Sequence, residues 1–68
     1  MELKVNGELK VVEEGASLAD LMDQLGFEAK TRGIAVAVND AVVPQPDWRK
    51  KVLADGDSIE IIHAVQGG

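Results

Sequence analysis

Apolar and polar positions alternate through Leu3-Lys4-Val5 and again through Leu9-Lys10-Val11, on either side of Asn6-Gly7. Alternation with period two marks a half-buried strand, and Asn-Gly readily takes the positive φ angles of tight turns, so residues 2–12 are predicted to form a hairpin. A two-residue loop would set Lys4 opposite Leu9 and Leu3 opposite Lys10, mixing charge into the buried face. A three-residue loop over 6–8 would instead gather Leu3, Val5, Leu9 and Val11 together, and the pattern therefore predicts the longer loop.

The period then changes. Leu18, Leu21, Met22 and Leu25 fall at i, i+3, i+4 and i+7 and form one apolar stripe, while Asp20, Asp23 and Gln24 point away from it. Ser17 stands where an N-cap belongs, with Asp20 three residues on to close an approximate capping box and to suit the helix dipole. Gly26 is placed to supply the left-handed residue after the helix, and Phe27 to fold back on its last turn. Residues 28–33 are charged, end in Gly33 and read as a surface loop.

Ile34-Ala35-Val36-Ala37-Val38 is predicted to be a strand with its large residues inside and its alanines outside. Asn39-Asp40 makes a second tight turn, and here a two-residue loop keeps Val36 opposite Val43. Pro44 has no N–H to donate and marks a strand end or a sheet edge. Residues 45–57 read as a long irregular connection in which Trp48 pins the loop to the core and Asp55-Gly56-Asp57 forms a turn rather than a cation site. Arg49-Lys50-Lys51 reads as a solvated face. The last strand is expected from about Ser58 to Val65, with Ile59 and Ile61 facing one way and Ile62 and Ala64 the other. His63, the sole histidine, has no Cys or second His nearby and is expected on the strand surface.

One sheet covered by one amphipathic helix buries these stripes economically, which predicts an α+β domain. Sixty-eight residues hold too little interior to wall off a deep catalytic pocket, so a chain that is not an enzyme is expected. The absence of cysteine excludes a disulfide framework, a thiolate nucleophile and Cys-ligated zinc or iron–sulfur sites, and no metal is assigned. Twelve acids face seven bases, for a formal charge of −5, which argues against nucleic acid and for partners with basic surfaces. The longest unbroken apolar run is Ile34 to Val38, so neither a membrane span nor a signal peptide is expected and the expected address is the cytoplasm.

The sequence closes on Gln66-Gly67-Gly68, directly behind the apolar strand. Two glycines in succession can follow a narrow channel in almost any extended path, since neither carries a Cβ. The expectation is a domain over 1–65 and a flexible tail over 66–68 shaped to be threaded into another protein.

With that element order and that tail, the sequence resembles the β-grasp, ubiquitin-like superfamily, and within it the ThiS family of sulfur carriers. The likeness is carried by Val5-Asn6-Gly7, Leu18-Ala19-Asp20-Leu21, Ala35-Val36-Ala37-Val38-Asn39, Val42-Val43-Pro44 with Trp48, Leu53 with Asp55-Gly56-Asp57, and Ala64-Val65-Gln66-Gly67-Gly68. The resemblance implies a mixed sheet of about five strands on one helix. It also implies that a ThiF-like enzyme uses ATP to adenylate the Gly68 carboxylate, and that sulfur from a donor such as a cysteine desulfurase converts it to a thiocarboxylate. A ThiG-like thiazole synthase then consumes that sulfur in thiamin biosynthesis. Gly67 and Gln66 would thread the tail, no cofactor would be resident, and the chain alone would be a monomer.

The same likeness implies an outward apolar docking patch of Ile62, Ala64, Val65, Ala35, Ala37 and Val42. One departure stands out: a basic residue is common after the Val-Pro step in this family, and here Gln45-Pro46 follows. A MoaD-like carrier of molybdopterin synthesis, a ubiquitin-like protein modifier and a non-reacting interaction domain are the alternatives. The Ala-Val-Gln approach and the short chain favour the thiamin carrier.

Overall fold

A computed structural model describes residues 1–27 and 33–63. Strands β1 (Glu2–Val5) and β2 (Glu8–Val11) form the first hairpin, followed by helix α1 (Leu18–Gln24). Strands β3 (Ile34–Val38) and β4 (Ala41–Val42) form the second hairpin, and a 3₁₀ turn over Gln45–Asp47 leads towards β5 (Ser58–His63). The sheet order is β2-β1-β5-β3-β4, with β1 and β5 parallel and the other neighbours antiparallel. The last strand is thus the middle of the sheet.

Both hairpins turn in two residues. Asn6 and Gly7 have φ of 51° and 84°, and Asn39 and Asp40 have φ of 51° and 69°, the paired positive values of a turn whose twist matches that of the strands it joins. In the second hairpin Val43 N donates to Val36 O at 2.8 Å, which places Val43 opposite Val36 as the pattern requires.

In the first hairpin the expected three-residue loop is wrong. Leu3 pairs with Lys10 and Lys4 with Leu9, so Leu9 and Val11 leave the core face and stand 60% and 68% exposed. The turn chemistry of Asn6-Gly7 outweighs the apolar pattern because β2 is an edge strand. Lys10 needs only to lay its hydrocarbon stem over the rim of the core, where it is half-buried. The core contact passes instead to Val12, which is buried and tied to Met1 by Val12 N to Met1 O at 2.9 Å and by the terminal ammonium to Val12 O at 2.7 Å.

The helix forms as its sequence requires. Ser17 Oγ accepts from Asp20 N at 3.1 Å and Asp20 Oδ2 accepts from Ser17 N at 2.9 Å, a complete capping box contributing about 1 kcal/mol. At the other end Gly26 (φ 90°) donates to Asp23 O and Phe27 N to Met22 O, the paired bonds that close a helix through a left-handed residue. Leu18, Leu21 and Met22 are buried against Leu3, Val5, Val36, Val38, Leu53 and Ile59. Each such side chain contributes roughly 1.5–3 kcal/mol by leaving water.

The long connection is built against the helix N-terminus. Leu18 N donates to Lys51 O at 2.8 Å and Ala19 N to Trp48 O at 3.1 Å, so carbonyls of the connection satisfy donors that the first helical turn cannot pair internally. Leu53 N to Ala16 O and a Ser17–Val52 bridge extend the attachment. Trp48 is buried and its Nε1 donates to Val43 O at 2.9 Å, so it pins the loop as expected. Asp57 Oδ2 accepts from Ala54 N and Asp55 Oδ1 from Glu2 N, which makes Asp55-Gly56-Asp57 a turn tied to β1.

Candidate functional site

Strand β5 leads out of the middle of the sheet towards residues 64–68. Its side chains alternate: Ile59 is buried and Ile61 half-buried on the helix side, while Glu60 and Ile62 stand on the open side. Register then identifies their neighbours. Ala35 lies opposite Ile62, Ala37 opposite Glu60, and Val42 opposite Ala37 on the next strand. Four of the expected patch residues, Ile62, Ala35, Ala37 and Val42, therefore share one face, with Ile62 62% and Val42 73% exposed. The remaining two, Ala64 and Val65, lie outside the described residues, as do Gln66, Gly67 and Gly68.

The register adds residues that the sequence pattern did not offer. Glu60 sits in the same cross-strand row as Ala37 and Val42, placing a carboxylate inside the apolar patch. Leu9 and Val11 place apolar side chains on the same open face at the opposite edge, beyond Lys4, which lies level with Ser58. Only the two-residue hairpin register shows this, because the longer loop would have buried both. At the end of β5, His63 is exposed and meets Phe27 edge-on, with ring centroids 6.3 Å apart. No set of His, Asp and Glu among the described residues is grouped to hold a metal ion, and no helix among them is long and apolar enough to cross a membrane.

A mixed five-stranded sheet with one helix across one face and, among the described residues, no element across the other defines a β-grasp domain of the ubiquitin-like class. The solved structures agree. The crystal structure of the thiamine biosynthesis protein ThiS from Geobacter metallireducens superposes with a TM-score of 0.82 at 27% identity, over all of both chains. The model of the ThiS family matches residues 2–68, and the chain belongs to that family.

Among its relatives, the sulfur carrier protein ThiS of Escherichia coli is 28% identical over 68 residues, all of both chains. The ThiS of Thermus thermophilus is 33% identical over 64 residues, 94% of this chain and 95% of that one. A thiazole synthase of Magnetococcus marinus is 37% identical over the whole of this chain, which spans 20% of that longer protein.

Proposed function

We propose that this chain is the sulfur carrier of thiazole formation in thiamin biosynthesis, acting through its terminal carboxylate. The observation that carries the reading is the family match across residues 2–68, which takes in Gly67 and Gly68 as well as the folded domain. A carboxylate is a poor acyl donor because its oxygen is a poor leaving group. A ThiF-like partner would attach the Gly68 carboxylate to the α-phosphorus of ATP, releasing pyrophosphate. A persulfide, formed on a donor such as a cysteine desulfurase, would then attack the acyl carbon and displace AMP to give an acyl disulfide. A second thiol of the donor system would cleave its S–S bond, leaving the thiocarboxylate on this chain and a disulfide behind. The chain has no cysteine of its own, so the sulfur is held on the main-chain terminus alone. Catalysis belongs to the partners, and this chain presents the reacting group in the cytoplasm.

The acceptor is a ThiG-like synthase. Support comes from the Magnetococcus marinus relative, in which a segment like this chain lies within a polypeptide named as thiazole synthase. The open sheet face docks these partners, through Ile62 with Ala35, Ala37 and Val42 and with Glu60 offered to a basic group. An Ile62→Asp chain should fold normally, because the side chain is exposed, and should lower kcat/KM for adenylation by about 10- to 100-fold, the range of a central interface anchor. Unchanged adenylation in a folded variant would remove the face from the docking surface.

The carrier reading is tested by the intact mass of the protein isolated from its native cell, before and after a thiol-alkylating reagent. A shift matching one oxygen-to-sulfur exchange, located on the Gly68 fragment and increased by one alkyl group after the reagent, is expected. An unmodified carboxylate while thiazole synthesis is active would rule out sulfur transfer by this chain.

A further inference from the structure

The two tight turns carry asparagines with the same φ of 51°, and both reach β5, Asn39 at its first residue and Asn6 at Ile59 and Ile61. Asn39 Oδ1 accepts from Ser58 N at 3.0 Å, its Nδ2 donates to Asp57 Oδ1 at 2.9 Å, and its main-chain N donates to Ser58 O at 2.8 Å. Asn6 acts farther along the strand. Its main-chain N donates to Ile59 O at 2.9 Å, its Oδ1 accepts from Ile61 N at 2.7 Å, and its Nδ2 donates to Ile61 O at 3.2 Å.

The Asn6 contact continues an interrupted ladder. Strands β1 and β5 pair at Lys4 with Ser58 and Val5 with Ile59, and then β1 turns away at Asn6-Gly7. In an uninterrupted parallel ladder the next bonds from Ile61 would go to main-chain groups of the neighbouring strand. A primary carboxamide has the donor and acceptor of a peptide unit, and the Asn6 side chain supplies both to Ile61. Asn6 is an economical residue here, because asparagine also tolerates the left-handed φ of 51° that the turn demands.

We propose that Asn6 is a positioning residue for sulfur loading, holding the β1 side of β5 at Ile61, beyond which the described residues of the strand pair with β3 alone, Ile62 with Ala35 and His63 with Ile34. The proposal rests on the carrier reading. Once a partner has covered the sheet face, the reacting carboxylate must still enter the partner's active site, and losing the Asn6 contact leaves the end of β5 held on its β3 side only. The Asn6 side chain touches neither ATP nor the reacting carbonyl; its effect passes through the strand.

The decisive comparison is between Asn6→Gly and Asn39→Gly. Glycine keeps the positive φ of either turn and removes only the carboxamide, so both variants should lose similar stability. In the complete chain, Asn6→Gly should speed amide exchange at Ile61 by about tenfold while leaving Ile59 within threefold, as expected for the loss of one hydrogen bond. With a purified ThiF-like enzyme and ATP, kcat/KM for adenylation should fall about five- to tenfold for Asn6→Gly and stay within twofold for Asn39→Gly.

Equal losses in the two variants, or an Asn6→Gly chain that turns over within twofold of wild type, would overturn the proposal and leave the carrier reading standing. A wild-type chain that is not adenylated overturns both. Should Asn6→Gly fail to fold, Asn6→Asp takes its place. It keeps an acceptor for Ile61 N but turns a carboxylate oxygen towards Ile61 O, and at least a threefold loss is expected, with unchanged turnover overturning the proposal.

Discussion

A chain lacking Gly68 is expected to be adenylated at least about a thousandfold more slowly than the complete sequence. Removing one residue shortens the maximum reach of the chain, and with it that of its terminal carboxylate, by roughly 3.3–3.6 Å. A misplacement of about 1 Å at a reacting centre already costs on the order of a hundredfold. The shortened chain keeps the open face of the sheet, with Ile62, Ala35, Ala37 and Val42 in their register, and should therefore still occupy the activating enzyme. The measurement is pyrophosphate exchange into ATP, run with the shortened chain alone and then with both chains together. No exchange in the first case and competitive inhibition in the second are expected. Exchange within tenfold of the complete chain would show that the terminal residue is not where activation occurs.

Replacing Trp48 with alanine is expected to destabilise the domain by about 3–5 kcal/mol, the range for emptying a large aromatic site. That is a major part of the stability a domain of this size possesses. The side chain is buried and holds Val43 O through its Nε1, while its main-chain carbonyl accepts from Ala19 N in the first helical turn. One residue thus joins the end of the β3–β4 hairpin, the core and the helix N-terminus. Trp48→Phe, which keeps most of the ring and loses the hydrogen bond, should cost about 1–2 kcal/mol. Denaturant unfolding of both variants gives the comparison. A loss below about 1 kcal/mol for Trp48→Ala would mean that the connection does not depend on this anchor.

The helix, the second hairpin and the outward side of β5 were legible because each is decided within a few residues. Ser17 with Asp20 caps the helix locally, Asn39-Asp40 turns the chain locally, and the alternation from Ile59 to Ile62 needs only a strand to become two faces. In the first hairpin two local signals conflict, the turn preference of Asn6-Gly7 and the apolar alternation around it. What resolved them is not local. At the edge of the sheet Lys10 can lie half-buried on the rim, and Val12 takes the core position that the pattern had given to Val11.

The candidate site divides the same way. That Ile62 and the alanines of β3 face outward was readable from alternation. That Ile62 stands beside Ala35, with Glu60 in the row of Ala37 and Val42, was not, since register between strands distant in sequence depends on how the whole sheet assembles. In the sequence Asn6 is legible only as a turn residue. Its carboxamide meets Ile61 because β1 and β5 are neighbours across most of the chain, a parallel pairing to which no short-range signal points.

By itself the sequence determined an α+β domain with one amphipathic helix, a chain without a cysteine thiol, and a Gly67-Gly68 pair placed after its last apolar stretch. These follow from periodicity, composition and the chemistry of single residues. The tertiary structure alone decided that this last strand is the middle of the sheet, that Leu9 and Val11 share the open face with Ile62, and that Asn6 grips the strand leading to the tail. The physical reason is that strand order and register are set by burying one face of the whole sheet beneath the helix, a balance struck among residues far apart in the chain.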